Sequence, residues 1–190
     1  MSRATMKIGC RDREMGGGGV MMNIRLWHAS RDEVSARAGQ LRALIAVEQE
    51  CQDGQLIHSD LNPYIDKILG LAEFILLEVD DECQGFCAFY TYDELQDSAF
   101  ITLIMISPIL RSSGLAEQIL DHVVEAARSH GFMGVTLWVN RHNDRAIRFY
   151  RRLGFQALQS DRNGQVFMRL DLALYNSVCR ASDYRVGVID

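Results

Sequence analysis

A strand-like run from Phe100 to Ile106 passes through Ser107-Pro108 and a turn at Arg111-Ser112-Ser113-Gly114. It leads directly into Leu115, Ile119, Leu120, Val123, Val124 and Ala127 at helical spacing. Strand, tight loop and amphipathic helix in immediate succession restrict this part of the chain to an α/β arrangement, with a buried strand feeding a helix N-terminus. At such a terminus unpaired backbone N–H groups and the positive end of the helix dipole converge, which makes a ready anion site. Gly114 has no Cβ and Ala116 the smallest one, so a ligand can approach the backbone closely there. Taken alone, the same six residues also describe an ordinary strand-to-helix turn.

The surrounding chain limits what such a turn can serve. The 190 residues suit one domain, and 48% apolar with 24% charged residues describes a globular chain rather than a disordered or disulfide-stapled one. The longest apolar stretch, Ala99 to Ile106, is far short of the roughly 20 residues of a membrane span. A net charge of -5 argues against broad binding to nucleic acid or to an anionic membrane surface. Five scattered cysteines (Cys10, Cys51, Cys83, Cys87, Cys179) read as reduced thiols and predict a cytoplasmic location. Cys83 and Cys87 lie in a strand-like run without a second pair or a nearby histidine, so they are expected as buried small hydrophobes and no metal is expected.

Residues 1–22 hold charges and four consecutive glycines but no apolar core of a secretory signal, and they are expected to form a flexible leader. The folded domain is expected over 23–172, and the tail 173–190 has no readable period. Within the domain, Ile24–Trp27 predicts a strand. Ser30 with Glu33 forms a capping-box signature for a helix from about 31 to 50. Asn62-Pro63 opens a short helix that stops at Gly70. Glu73–Val79, the turn Asp80-Asp81-Glu82 and Gln84–Tyr92 predict a hairpin, antiparallel to the following Phe100–Ile106. Val135–Val139 predicts a strand, Asp144–Leu153 a helix closed by Gly154, and Gln165–Leu170 a last strand.

Two motifs then stand in order. Ile106, Pro108, Arg111, Gly114 and Ala116 fit V-x-P-x-x-[QR]-x-x-G-x-[GA]. Leu137, Val139, Asn143, Ala146, Tyr150, Gly154 and Phe155 fill L-x-V-x-x-x-N-x-x-A-x-x-x-Y-x-x-x-G-F. The pair resembles the acetyl-CoA-binding half of the GNAT superfamily of acyl-CoA N-acyltransferases. The resemblance implies an α/β fold with a central, mostly antiparallel mixed sheet flanked by helices, in which one strand pair splays apart. It implies acetyl-CoA as cosubstrate. The strand at Ile104, Met105 and Ile106 would pair with the pantetheine arm, and the amides of Ser112, Ser113, Gly114, Leu115, Ala116 and Glu117 would hold the pyrophosphate beside Arg111. An amide at or near Ile104 would polarise the thioester carbonyl. Asn143 would bond the pantetheine, and Tyr150 would protonate the departing thiolate, a task suited to a phenol that stays protonated at neutral pH.

Read from the residues alone, Tyr150 is also a core aromatic on the stripe of Ala146, Ile147 and Leu153, and Asn143 is also a helix N-cap. Ser112 and Ser113 stand where the family often has glycine and a basic residue. Between Asn140 and Arg152 five arginines face one acid, a local charge of +4 that leaves -9 elsewhere and could attract a polyanion. Phe100–Ser107 contains no acid to act as general base; Glu73, Glu78, Asp93, Glu94 and His142 are candidates by residue type. The resemblance implies direct transfer of acetyl to a primary amine of a small molecule or protein, with neither nucleic acid nor membrane as partner and a homodimer among the assemblies left open. The acceptor site would come from roughly 28–70 and 90–98, and the acidic chain suits a cationic acceptor. A non-catalytic acyl-CoA-binding or sensing module of the same fold is the alternative, and an unrelated nucleotide-phosphate-binding domain is a third reading.

Overall fold

The computed structural model describes residues 4–9, 21–51, 56–57, 59–91, 97–160 and 164–175. The predicted hairpin forms the middle of the sheet: β3 (Glu73–Val79) and β4 (Glu82–Tyr90) run antiparallel about a turn at Asp80-Asp81. Both aspartates adopt left-handed backbone, φ 52° and 66°, which matches the twist of a two-residue hairpin and which a short polar side chain tolerates. Glu82, expected in the turn, is the first residue of β4. β5 (Ser98–Ile106) lies antiparallel to β4. β2 (Met21–Ala29) lies antiparallel to β3 on the other side, and β1 (Ala4–Gly9) extends the sheet antiparallel to β2.

β1 and the start of β2 fall in the segment expected to be an unstructured leader, so that expectation is corrected at 4–9 and 21–22. The cause is tertiary. β2 offers an edge of unpaired backbone groups, and Ala4–Gly9 satisfies them, a gain no local composition displays. The remainder of the leader, and 176–190 of the tail, lie outside the described residues.

The chain between β2 and β3 is helical. Ser30 caps α1 (Arg31–Ala36) with both bonds of the capping box, the Ser30 amide donating to Glu33 Oε2 at 2.9 Å. The single helix expected over 31–50 is divided at Arg37, and α2 runs Ala38–Cys51. Arg37 turns its guanidinium onto Glu78, a carboxylate 2% exposed that also accepts from Arg25 at 3.2 Å. The two guanidiniums lie 4.9 and 5.2 Å from the centre of the Trp27 ring. Without Arg37 that buried carboxylate would keep Arg25 as its one cation, a loss set against a single interrupted turn. α3 (Leu61–Leu71) holds Pro63 in its first turn as expected, and Gly70 lies in its last turn rather than beyond it.

Further on, α4 (Leu115–Ser129), β6 (Gly134–Asn140), α5 (Asp144–Arg152), β7 (Gln156–Ser160) and β8 (Gln165–Asp171) complete the order. β7 is not anticipated by sequence, because all five of its residues are exposed and show no alternation. Across the sheet the order is β1-β2-β3-β4-β5-β6-β8-β7, and β5–β6 is the one parallel pair. α1, α2 and α3 cover one face through Val34, Leu41, Ile45, Ile65 and Ile68, packed on Trp27, Phe74, Leu76 and Phe86. α4 and α5 cover the other through Leu115, Ile119, Val123, Tyr150 and Leu153 against Ile75, Leu77 and Phe89. Each fully buried phenylalanine, such as Phe74 and Phe86, contributes roughly 1.5–3 kcal/mol.

Candidate active site

β5 and β6 pair only from Ser98↔Gly134 to Ile101↔Leu137. Beyond that, β5 stays on β4 as far as Ile106↔Gly85, while β6 stays on β8 as far as Asn140↔Gln165. The strands part with each keeping its outer neighbour, so the edges that Thr102–Ile106 and Trp138–Asn140 turn toward each other are not paired with one another. A bulge lies where they part: Ile101 opposes Phe89 and Leu103 opposes Ala88, leaving Thr102 as the extra residue. Thr102 shifts the side-chain alternation by one. Ala99 and Ile101 face α4 and α5, and after the bulge Ile104 and Ile106 face them while Leu103 and Met105 face α2 and α3.

The gap is a cleft of about 1050 Å³ that reaches both faces of the sheet. Tyr150 and every residue expected to bind the cofactor line it, except Ser113 and Leu115. Leu115 is buried in the core, and Ser113, though exposed, spends its polar groups within the turn: its Oγ donates to the Leu110 carbonyl at 2.6 Å and accepts from the Leu115 amide at 3.4 Å, and its amide also donates to Leu110. Among the described residues, the amides of Ser112, Gly114, Ala116 and Glu117 have no acceptor, so this helix start offers donors to a ligand. Ser112 has φ 70° and Gly114 φ 82°. The left-handed conformation costs a non-glycine residue about 1–2 kcal/mol, which accounts for the glycine the family pattern often has at Ser112.

No basic residue follows Arg111 in the loop, yet cations reach it from α5. Arg145 Nη2 lies 3.5 Å from Ser112 Oγ, and Arg152 donates to Glu117 Oε1 at 3.0 Å. Arg111, expected among the cofactor-binding residues, spends its guanidinium elsewhere: it donates to Glu48 Oε2 at 2.7 Å and to the Ile106 carbonyl at 3.4 Å. Asn143 caps α5, its Oδ1 accepting from the Ala146 amide at 3.0 Å, while still lining the cleft. Tyr150 is 6% exposed, with ring centres of Phe149 and Phe155 at 5.3 and 5.4 Å. Burial pushes its phenol well above the usual tyrosine range. Its hydroxyl has no hydrogen-bond partner among the described residues, although the residue borders the cleft.

The carboxylates proposed by residue type stand apart. Burial works against the Glu73 charge, but bonds from His28 (2.9 Å) and Thr91 outweigh it and hold its pKa below the usual carboxylate value. Glu78 is locked between Arg25 and Arg37, and His142 is exposed in the turn before α5. None of the three borders the cleft, and Asp93 and Glu94 lie outside the described residues. Among the described residues, the carboxylates on the cleft wall are Glu117 and Glu48. Glu48 is the residue sequence reasoning missed. The available signal is its place four residues after Leu44 and three after Ile45, on the core-facing stripe of α2, where a carboxylate is out of place.

Burial raises the Cys83 thiol to about 11 and pushes Cys87 higher still, in keeping with their place in the core of β4. Among the described residues no group of three His, Cys, Asp or Glu side chains is placed to hold a metal, and no helix is long and apolar enough to cross a membrane.

The comparisons with known proteins agree with this geometry. An acetyltransferase of the GNAT family from Staphylococcus aureus Mu50 superposes with a TM-score of 0.65 at 16% identity, over 78% of this chain and 99% of that one. The PaiA N-acetyltransferase of Thermoplasma acidophilum, solved in complex with coenzyme A, gives 0.60 at 14% identity, over 78% and 98%. At these identities the likeness is one of fold. An uncharacterized N-acetyltransferase of Methanocaldococcus jannaschii is 33% identical over 87 residues, covering 44% of this chain and only 38% of that protein's length. The family model described as "Acetyltransferase (GNAT) family" matches residues 41–155, more than half of the chain and both walls of the cleft. The chain therefore belongs to the GNAT family of acetyltransferases.

Proposed function

We propose that the protein transfers the acetyl group of acetyl-CoA directly to a primary amine of a small molecule or protein, in the cytoplasm. The observation that carries this reading is the opening of β5 from β6 beside a helix start with free amides, with Tyr150 bordering the same cleft. The amides of Ser112, Gly114, Ala116 and Glu117 bind the pyrophosphate, and Arg145 supplies the positive charge that the loop itself lacks. The unpaired edge at Ile104–Ile106 offers backbone groups to an extended pantetheine arm, as a strand would. Acetyl-CoA contributes an activated thioester. An amide of that edge faces the carbonyl oxygen as negative charge develops on it, and proximity of the two reactants supplies much of the acceleration.

The amine attacks as the free base, the C–S bond breaks, and Tyr150 gives its proton to the departing thiolate; the proton shed by the new amide nitrogen passes to water, from which the phenol is restored. Burial keeps its phenol protonated throughout the physiological range, and the absence of a protein partner leaves the O–H directed by the ligand. The test is CoA release across an amine panel, read by thiol detection, with the acetylated product identified by mass spectrometry. Turnover that is lost in Tyr150→Phe supports the reading. Tight acetyl-CoA binding without release on any amine overturns it in favour of a binding module, and equal thermal stabilisation by ATP and acetyl-CoA overturns acyl-CoA recognition itself.

A further inference from the structure

We infer that Glu48 anchors the ammonium group of the acceptor, so that the acceptor is a cationic amine with an apolar or aromatic body and no carboxylate beside the amine; this rests on the amine-transfer reading above. The side of the cleft facing α2 and α3 is built from Ile57, Tyr64, Leu103 and Met105, all members of one apolar cluster. Trp138 joins them from β6, since Leu137 and Val139 face α4 and α5 and alternation sends Trp138 to the opposite side. Among the described residues, the carboxylate set into these walls is Glu48, 14% exposed at its side chain.

Arg111 holds that carboxylate in place with a bond at 2.7 Å while its own guanidinium is braced on the Ile106 carbonyl, the last residue of the unpaired β5 edge. A carboxylate offers about four acceptor positions, and the Arg111 bond engages one of them. The Tyr64 hydroxyl is spent on Thr102, bonding its Oγ1 at 2.9 Å and its carbonyl at 3.3 Å, which leaves the ring as a wall. Aromatic faces of Tyr64 and Trp138 suit a cation on an apolar stem. An acceptor carrying its own carboxylate would bring a second anion beside Glu48, where Arg111 is already engaged, and would be excluded by repulsion and desolvation.

The experiment measures binding of 2-phenylethylamine, its neutral analogue 2-phenylethanol and phenylalanine to the full chain saturated with CoA, by calorimetry, in wild type, Glu48→Gln, Arg111→Gln and the double variant. The amine is expected to bind wild type and to lose at least tenfold in Glu48→Gln, while the alcohol binds both equally and phenylalanine binds neither. Arg111→Gln is expected to hold the amine as tightly as wild type or more so, and the double variant to stay as weak as Glu48→Gln. An amine that fails to bind wild type, or is indifferent to Glu48→Gln, overturns the inference. So does a double variant that regains wild-type affinity, because the loss would then come from an unpaired Arg111. Equal losses in Glu48→Gln and Arg111→Gln reduce Glu48 to a brace for the loop and also overturn it. Calorimetry needs no turnover, so an anchor that binds amine without CoA release would overturn the proposed reaction and leave the anchor standing.

Discussion

The two halves of the β5–β6 seam are made of the same strands and behave in opposite ways. From Ser98 to Ile101 the pair is closed and its side chains are largely buried, and Gly134 sits so tightly that an added Cβ would meet Ser98 Oγ at 2.7 Å and the Leu170 carbonyl at 3.0 Å. From Thr102 to Ile106 the partner is missing, and the residues alternate between half-buried and buried along a cleft. One extra residue, Thr102, marks the boundary. The difference teaches that a sheet can supply a ligand's hydrogen-bonding partner by withdrawing its own, provided that the outer neighbours, β4 and β8, hold each strand in place.

The contrast can be broken from either side. The largest effect is expected in the open half: Tyr150→Phe should lower turnover by about 10²–10⁴-fold while leaving the CoA dissociation constant near wild type, as read by steady-state kinetics and calorimetry. In the closed half Gly134→Val should do the reverse. Overpacking against backbone should remove about 1–3 kcal/mol of unfolding free energy in a urea titration, and turnover per folded molecule should change little. Arg145→Ala should weaken CoA about tenfold, by loss of one charge-assisted contact, with no change in thermal midpoint.

The smallest effect lies at the closed end, where Arg169 pairs with Asp97 at 2.7 and 2.8 Å. The bond from Arg169, then that from Ser98, lowers the Asp97 carboxyl from 3.8 to about 2. Its folded value is depressed, so the stabilisation is complete above about pH 4 and fades as pH falls through about 2. The difference in thermal midpoint between wild type and Asp97→Asn should be constant from neutral pH down to the unfolded carboxylate range and vanish at the acid end. A difference that grows on acidification would show the pair to be unimportant.

Sequence carried the loop-and-helix side of this cleft and little of the side facing α2 and α3, and the reason is physical. Helix starts and tight turns require particular residues at particular offsets, so Gly114, Asn143, Tyr150 and Gly154 are visible in the chain itself. Glu48 acquires its meaning only when α2 is laid across β5, 63 residues away in sequence from Arg111. Arg145 was one of five similar arginines until the fold brought it beside Ser112. The same rule covers the elements that were missed: β7 is exposed on every residue, β1 depends on an open edge, and the division of α1 from α2 depends on a buried carboxylate in β3. The hairpin at Asp80-Asp81 and the capping box at Ser30 were legible because each is settled within a few residues.

The offset at Thr102 also bears on how such a protein can diverge. On the α4 and α5 side the cleft presents the amides of Ser112, Gly114, Ala116 and Glu117, which no exchange short of proline removes; on the α2 and α3 side the described residues that line it include the apolar and aromatic side chains of Ile57, Tyr64, Leu103 and Met105. On the reaction proposed above, exchanges at Ile57, Tyr64, Met105 or Trp138 would redirect the choice of acceptor in single steps while leaving those amides in place. Insertion or deletion of one residue in β5 is different. It would reverse inside and outside for every position after it, so this strand should tolerate a change of letters far better than a change of length.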